Sequence, residues 1–278
     1  DLHLYQNGHG LLQPLTIGHE AIGIVEAVGA DVSQGRIGER VVIEPNIPCK
    51  HCPECKRGLG NVCRNKRTIG VNENGCFSQY IAIPSDFAYR VPDYVSDNDA
   101  VTIEPAAVAL AALRRSGIPT GKAIAVIGLG AIGMLVCHIG IALGYKVYAT
   151  DPIPEKRKKA ANMGVQIIEA GTLEALEECF TEAQVLGVFE CAGASKTAEL
   201  AIASAPRGAL IMLLGLSETP AKFIPKVVAR KGNVIAPSII YDHPTDFHRC
   251  IDLIDKGIIH PGVIVEQEYL LKDLSQAL

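Results

Sequence analysis

The stretch that most restricts what this chain can fold into is Ala123 to Asp151, AIAVIGLGAIGMLVCHIGIALGYKVYATD. It opens with an apolar run, Ala123 to Ile127, whose length and composition predict a strand buried on both faces. Gly128-Leu129-Gly130-Ala131-Ile132-Gly133 follows, a G-x-G-x-x-G turn leading into a helix-length apolar segment. A second short run, Lys146 to Thr150, ends at Asp151. Gly128 permits the tight turn, Gly130 lets backbone approach a pyrophosphate, and Gly133 lets the helix pack close to the strand. The free N–H groups at the helix start then attract phosphate. Asp151 lies 23 residues after Gly128, where a carboxylate accepts hydrogen bonds from an adenosine ribose and repels a 2′-phosphate. The pattern predicts dinucleotide binding, with NAD favoured over NADP. Lys156 and Arg157 leave a 2′-phosphate as the other reading. The bland alternatives are a membrane helix or a βαβ unit without ligand. Glycines scattered through the run, and the polar tail after it, speak against a bilayer span.

The 278 residues accommodate one large or two ordinary domains with a sizeable core. A net charge of −4 and a pI near 6.1 exclude a general nucleic-acid or anionic-membrane binder. The basic cluster Lys156 to Lys159 reads as a solvated helix face beside the cofactor. Of nine cysteines, four crowd into Cys49 to Cys63 and the rest are isolated in apolar or helical surroundings. That usage suits a reducing compartment and one metal site rather than a disulfide framework. No stretch reads as a signal peptide, so the expectation is a cytoplasmic protein with no membrane partner.

Before the fingerprint, GHEAIGIVEAVG (Gly18 to Gly29) and IGERVVIEP (Ile37 to Pro45) are short apolar runs punctuated by glycine. Ile22, Ile24 and Val28 lie on one side of an alternating pattern. Together they predict an all-β, barrel-like unit. Then comes Cys49-x2-Cys52-x2-Cys55-x7-Cys63. Four thiolates at this spacing wrap one tetrahedral Zn²⁺ as a closed, structural site. Lys50, Lys56, Arg57 and Arg64 would offset its negative charge, and His51 could compete as a ligand. A redox C-x-x-C pair or a disulfide pair are the other readings.

G-H-E-x-x-G, a four-cysteine lobe and a Rossmann fingerprint, in that order, resemble the zinc-dependent medium-chain dehydrogenase/reductase superfamily, and the resemblance runs through essentially the whole chain. GVNENGCFSQYIAIP (Gly70 to Pro84) and IEPAAVALAALRR (Ile103 to Arg115) are most similar to its polyol and threonine dehydrogenase branch. The resemblance implies a GroES-like catalytic domain, an NAD domain and an active site between them. It implies that His19 is the imidazole ligand of a catalytic zinc. Glu20 is a third ligand, or lies close enough to exchange with one, and Glu104 binds the zinc directly or through its water. The choice between Glu20 and Glu104 stays open. In this family the first ligand is a cysteine in C-G-[ST]-D-x-H, and this chain starts at the Asp of that motif. Asp1 would orient the His19 ring, and His3 would pass the substrate proton to solvent. The resemblance therefore implies a gene product longer at both ends, with one zinc ligand lying outside the sequence as written. It also implies a homodimer or homotetramer, often joined through the edge of the nucleotide-domain sheet.

After Asp151, DPIPEKRKKAANMG reads as a turn and an amphipathic helix, with Arg157 where a family arginine packs over the adenine side. Strands are expected at Val165 to Ile168, Leu186 to Glu190, Gly208 to Gly215 and Asn233 to Ala236, with a helix at Ser195 to Ala205. This alternation predicts a parallel, doubly wound sheet. Gly193 and Gly215 would end strands near its switch point, as plain turn glycines or as nicotinamide contacts. Ser238 is a further candidate for cofactor contact, and Cys191 reads as a buried structural thiol. The expected domains are residues 1–119, 120–262, and a return of 263–278 to the first. The α/β reading that follows is a zinc-dependent oxidoreductase moving hydride from a secondary alcohol or polyol to NAD. Its cofactor contacts would be Gly128, Gly130, Ile132, Gly133, Asp151, Arg157, Gly193 and Gly215. The rivals are a threonine-type amino-alcohol dehydrogenase and a non-catalytic NAD-binding scaffold that keeps only the structural zinc.

Overall fold

A computed structural model of the chain describes residues 14–169 and 171–277. They form two compact units. One holds the residues up to Glu104 and from Asp242 onward, and the other runs from Pro105 to Tyr241. The sequence pattern set these breaks at 119/120 and 262/263, and particular side chains account for the displacement. Arg115, near the end of the helix Ile103–Ser116, donates to the carbonyls of Ile239 and Ile240, each at 2.9 Å. That ties the end of this helix into the second unit. The helix Thr245–Asp255 is drawn to the first unit, where Phe247 packs on the Tyr89 ring with centroids 5.2 Å apart. Further on, the Gly262 N–H donates to the Asp99 carboxylate at 2.8 Å.

In the first unit, β1 (Ile22–Ile24), β2 (Arg40–Ile43), β3 (Asn46–Ile47), β4 (Arg67–Thr68) and β5 (Ala88–Arg90) are short. β1, β2 and β5 form an antiparallel sheet in that order, and β3 pairs with β4. Ile43, Ile47, Ile69 and Phe87 make its small core. The alternation expected from Ile22 to Val28 is realised only over the three residues of β1, and Ile24 points to solvent. Half-solvated faces are ordinary for antiparallel sheets. Ile43 donates its N–H to the Ala21 carbonyl, so β2 anchors the chain just after His19 and Glu20.

The second unit contains β6 (Ala123–Ile127), β7 (Lys146–Thr150), β8 (Gln166–Ile167), β9 (Val185–Glu190), β10 (Leu210–Leu213) and β11 (Val234–Pro237). They pair in parallel in the order β11-β10-β9-β6-β7-β8. Every residue of β6 is buried, which explains its unbroken apolar run. Ala123, Ala125 and Ile127 of β6 pack with Leu176, Phe180, Ala201 and Ile202 from the helices Leu173–Glu182 and Ser195–Ser204. Ile124 faces the opposite way, towards Gly140 of the helix Ala131–Ala142. Helices thus cover both faces of a doubly wound sheet, and the direction of winding reverses between β6 and β9. Among the described residues no helix is long and apolar enough to cross a membrane.

Candidate metal centres and dinucleotide site

The sulfurs of Cys49, Cys52, Cys55 and Cys63 all lie within 4.8 Å of one another. Cys49 Sγ is 4.0 Å from Cys55 Sγ, and Cys52 Sγ is 3.7 Å from Cys63 Sγ. A zinc tetrahedron with ~2.3 Å arms has edges of about 3.8 Å, so the four sulfurs are already spaced for one ion. The short helix Pro53–Lys56 builds this geometry, with Cys52 as its N-cap accepting from the Cys55 N–H. The backbone N–H of His51, aided by that of Cys52, holds the Cys49 thiol down at about 6. His51 stands outside the cluster, its Nδ1 2.7 Å from the Cys49 carbonyl oxygen. Arg64 is turned to Glu54 and Lys50 to Asp86, so these two expected counter-charges are committed to carboxylates.

The second cluster brings together ligand atoms of His19, Glu20 and Glu104, again within 4.8 Å of one another. Glu104 is 5% exposed and opens the helix Ile103–Ser116, whereas Glu20 faces solvent. Among the described residues this set offers nitrogen and oxygen donors, in contrast to the four sulfurs of the first cluster. His19 is placed by close backbone packing. Gly18 has a φ of 97°, and a Cβ there would lie 2.8 Å from the Phe77 ring. Gly70 and Gly75 both pack on the Gly18 carbonyl oxygen, where a Cβ would come within 2.2 and 2.3 Å. The sequence reading passed over Gly70 and Gly75, although TIGVNENG carries the turn residues that mark such a loop. Asp1 and His3 lie outside the described residues.

In the second unit, Gly128, Asp151 and Arg157 line one cavity of about 560 Å³, together with Lys156, Glu169 and Thr197. Ile132, Gly193 and Gly215 line a smaller one of about 330 Å³ with Cys191, and Ala192 borders both. Two of the three G-x-G-x-x-G glycines are tightly packed. A Cβ on Gly128, whose φ is 93°, would lie 2.7 Å from the Ala192 side chain. One on Gly133 would lie 1.9 Å from the Gly128 carbonyl oxygen, whereas Gly130 faces open space. Asp151, 9% exposed, accepts from the Leu129 N–H at 2.7 Å and the Ile153 N–H at 2.9 Å. Its carboxylate therefore shapes the glycine turn as well as lining the cavity. Arg157 donates to the Asp151 and Pro152 carbonyls and pairs with Glu169 at 3.3 Å, which leaves Lys156 as the less committed cation. Ser238 is buried and accepts from Arg115 at 3.1 Å, a bond internal to the fold.

Comparison with known proteins extends this geometry. The Alcohol dehydrogenase GroES-like domain matches residues 1–93, and Zinc-binding dehydrogenase matches residues 131–256. Sorbitol dehydrogenase of Bacillus subtilis is 31% identical over 291 residues, an alignment covering 100% of this chain and 81% of that protein. The chain belongs to the zinc-dependent medium-chain dehydrogenase/reductase superfamily, in its polyol-type branch. Among solved members, an alcohol dehydrogenase (rspB) of Escherichia coli CFT073 in complex with NADH superposes with a TM-score of 0.91 at 31% identity. That superposition covers 99% of this chain and 82% of the other. Galactitol-1-phosphate dehydrogenase of E. coli follows with a TM-score of 0.85 at 27% identity, covering 93% and 79%. As a medium-chain dehydrogenase the chain is an oxidoreductase, a GroES-like domain joined to a Rossmann sheet. The acid at the end of β9, Glu190, escaped the sequence reading, although an acid closing an apolar strand had drawn attention at Asp151.

Proposed function

We propose that this chain oxidises a secondary alcohol on a polyol or similar hydroxylated compound, passing hydride to NAD. The observation that carries this reading is the His19–Glu20–Glu104 cluster, a three-donor set separate from the closed four-cysteine set. His19 and the two carboxylates would hold a zinc ion, whose chemistry is that of a Lewis acid that lowers the pKa of an alcohol. Cys49, Cys52, Cys55 and Cys63 would hold the structural zinc. Glu20 and Glu104 would place negative charge beside His19 and hold its ring in place, while His3 and Asp1 keep the relay and orienting roles that the family pattern gives them.

NAD would supply the hydride acceptor. Gly130 leaves room for its pyrophosphate at the N-terminus of the helix Ala131–Ala142. Asp151 would face the adenosine ribose, and Arg157 would flank the adenine side. Ile132, Gly193 and Gly215 would border the nicotinamide end. The negative charge of Asp151, with Arg157 tied to Glu169, favours NAD over NADP. All nine cysteines are free thiols, which fits the reducing cytoplasm, and the assembly proposed is a homodimer or homotetramer.

The test measures zinc per chain in the protein and in His19→Ala, together with NADH formation from a panel of polyols and from L-threonine. Two zincs falling to one, with polyol-dependent NADH formation, is the expected result. One zinc in both proteins would remove the alcohol-activating ion and leave an NAD-binding scaffold. Preferential turnover of L-threonine would move the substrate class to amino alcohols.

A further inference from the structure

We infer that Glu190 is a positioning residue for the dinucleotide, through the turn that its carboxylate holds between the two cavities; this rests on the dinucleotide reading of those cavities. Glu190 is the last residue of β9, at the carboxyl edge of the sheet. Its register partners are Ile127 of β6, immediately before Gly128, and Leu213 of β10. It therefore stands where the winding of the sheet reverses, the place where open α/β sheets take their ligands. A carboxylate 1% exposed at the end of an apolar strand is costly unless its oxygens are satisfied. Here one oxygen is heavily used. Oε1 accepts from the N–H groups of Ala192 and Gly193, each at 2.9 Å, and from the Thr197 hydroxyl at 2.7 Å. The Glu190 carbonyl accepts from Leu214 and Gly215 at 2.9 and 3.0 Å.

These partners are the walls of the two cavities. Ala192 borders both, Thr197 lines the larger, and Gly193 and Gly215 line the smaller. The packing between them has no slack. A Cβ on Gly215 would lie 2.2 Å from the Gly193 nitrogen and 2.5 Å from Glu190 Oε2. Ala192 in turn presses against Gly128 of the G-x-G-x-x-G turn. Oε1 thus holds the 191–193 turn, which packs on the glycine turn, while the main-chain carbonyl of the same residue holds the β10 exit. Without it, the two N–H groups need new partners, the Thr197 hydroxyl is left with the Ala194 carbonyl at 2.8 Å, and the wall shared by the cavities shifts. Among the described side chains that line the smaller cavity, Cys191, Leu214 and Leu216 beside this turn carry no carboxylate that could replace it.

The experiment titrates NADH by fluorescence against the full chain and its Glu190→Gln, Glu190→Ala and Thr197→Val variants. Phe180→Leu, a core substitution at a residue that lines neither cavity, serves as the stability control. Glu190→Gln keeps an acceptor oxygen and should hold NADH affinity within about threefold, whereas Glu190→Ala should weaken it about tenfold or more. The KM for NAD should rise in parallel, with kcat at saturating NAD changed by less than about twofold. Should Glu190→Ala fail to fold, Thr197→Val removes one of the three donors and should weaken NADH about threefold. Weakening no greater than in Phe180→Leu at a matched loss of Tm would overturn the inference, as would Glu190→Gln behaving like Glu190→Ala. Wild-type protein that binds no NADH would overturn the dinucleotide reading and this inference with it. Wild-type binding with an indifferent Glu190→Ala would overturn the inference alone.

Discussion

A methyl group on Gly75 would lie 2.3 Å from the Gly18 carbonyl oxygen and 2.6 Å from the Gly70 Cα. Nothing there is a flexible side-chain end, so the backbone that presents His19 would have to move. Gly75→Ala should cost about 1–3 kcal/mol of stability and displace His19 from the two glutamates. Elemental analysis should show one zinc lost per chain, with the four-cysteine ion retained; two zincs kept in Gly75→Ala would refute this packing account. Asp151 illustrates a different residue-level point, because its carboxylate holds the glycine turn and also lines the larger cavity. Asp151→Ala strips the acceptor from the Leu129 and Ile153 N–H groups, at about 1–3 kcal/mol for each group left buried and unpaired. Thermal melts should show that loss, and NADH titration a weaker complex. Asp151→Asn, which keeps one acceptor oxygen, should lose less stability while narrowing the preference for NAD over NADP. An unchanged preference in Asp151→Asn would argue against a ribose contact.

At the scale of elements, burial explains why some segments were readable and others were not. β6 is buried along its whole length and reads as one apolar run. β8, expected at Val165 to Ile168, pairs only over Gln166–Ile167. β3 and β4 are equally short and are held by pairing rather than by pattern. The helix Leu173–Glu182 depends on tertiary packing, with Phe180 fully buried among Val185, Val188 and Ala201. Phe180→Ala should lower unfolding free energy by about 3–5 kcal/mol, read from denaturant melts. A loss under about 1 kcal/mol would mean that the site collapses around the cavity. In the lobe around Cys49 to Cys63, Cys63→Ser removes one of four sulfurs from a closed tetrahedron. Zinc content should fall by one, and limited proteolysis should open the lobe first.

For the whole molecule, the two metal clusters differ in the way that predicts their order of loss. The four-cysteine set offers four sulfurs, and the His19–Glu20–Glu104 set offers three donors among the described residues, one of them facing solvent. Ligand number and thiolate character both favour retention at the cysteine lobe. Graded treatment with a chelator should therefore abolish alcohol oxidation before it changes the thermal transition. Simultaneous loss of activity and of fold would show that the two ions are not held independently in this way. NADH titration of the partly stripped protein should be unaffected, since both dinucleotide cavities are lined by residues of the second unit.

The order of motifs along the chain determined the family, the Rossmann sheet and the four-cysteine lobe, because each depends on spacing within a few residues of sequence. Gly128, Gly133 and Asp151 lie within one βαβ unit, and Cys49 to Cys63 within a single loop. Glu104 lies some 85 residues from His19 and Glu20, so no local spacing links them; the family resemblance implies the set, and the tertiary structure brings it together. It alone packed Gly70 and Gly75 against Gly18, since only a folded chain brings those backbones within van der Waals distance. It moved the unit boundaries to 104/105 and 241/242 through side chains such as Arg115 and Phe247, which carry no local signature of their partners. Glu190 stands between the two cases. Its acid and its three donors lie within a few residues of one another in sequence, whereas its place beside Ile127 of β6 and Leu213 of β10 comes only from the sheet.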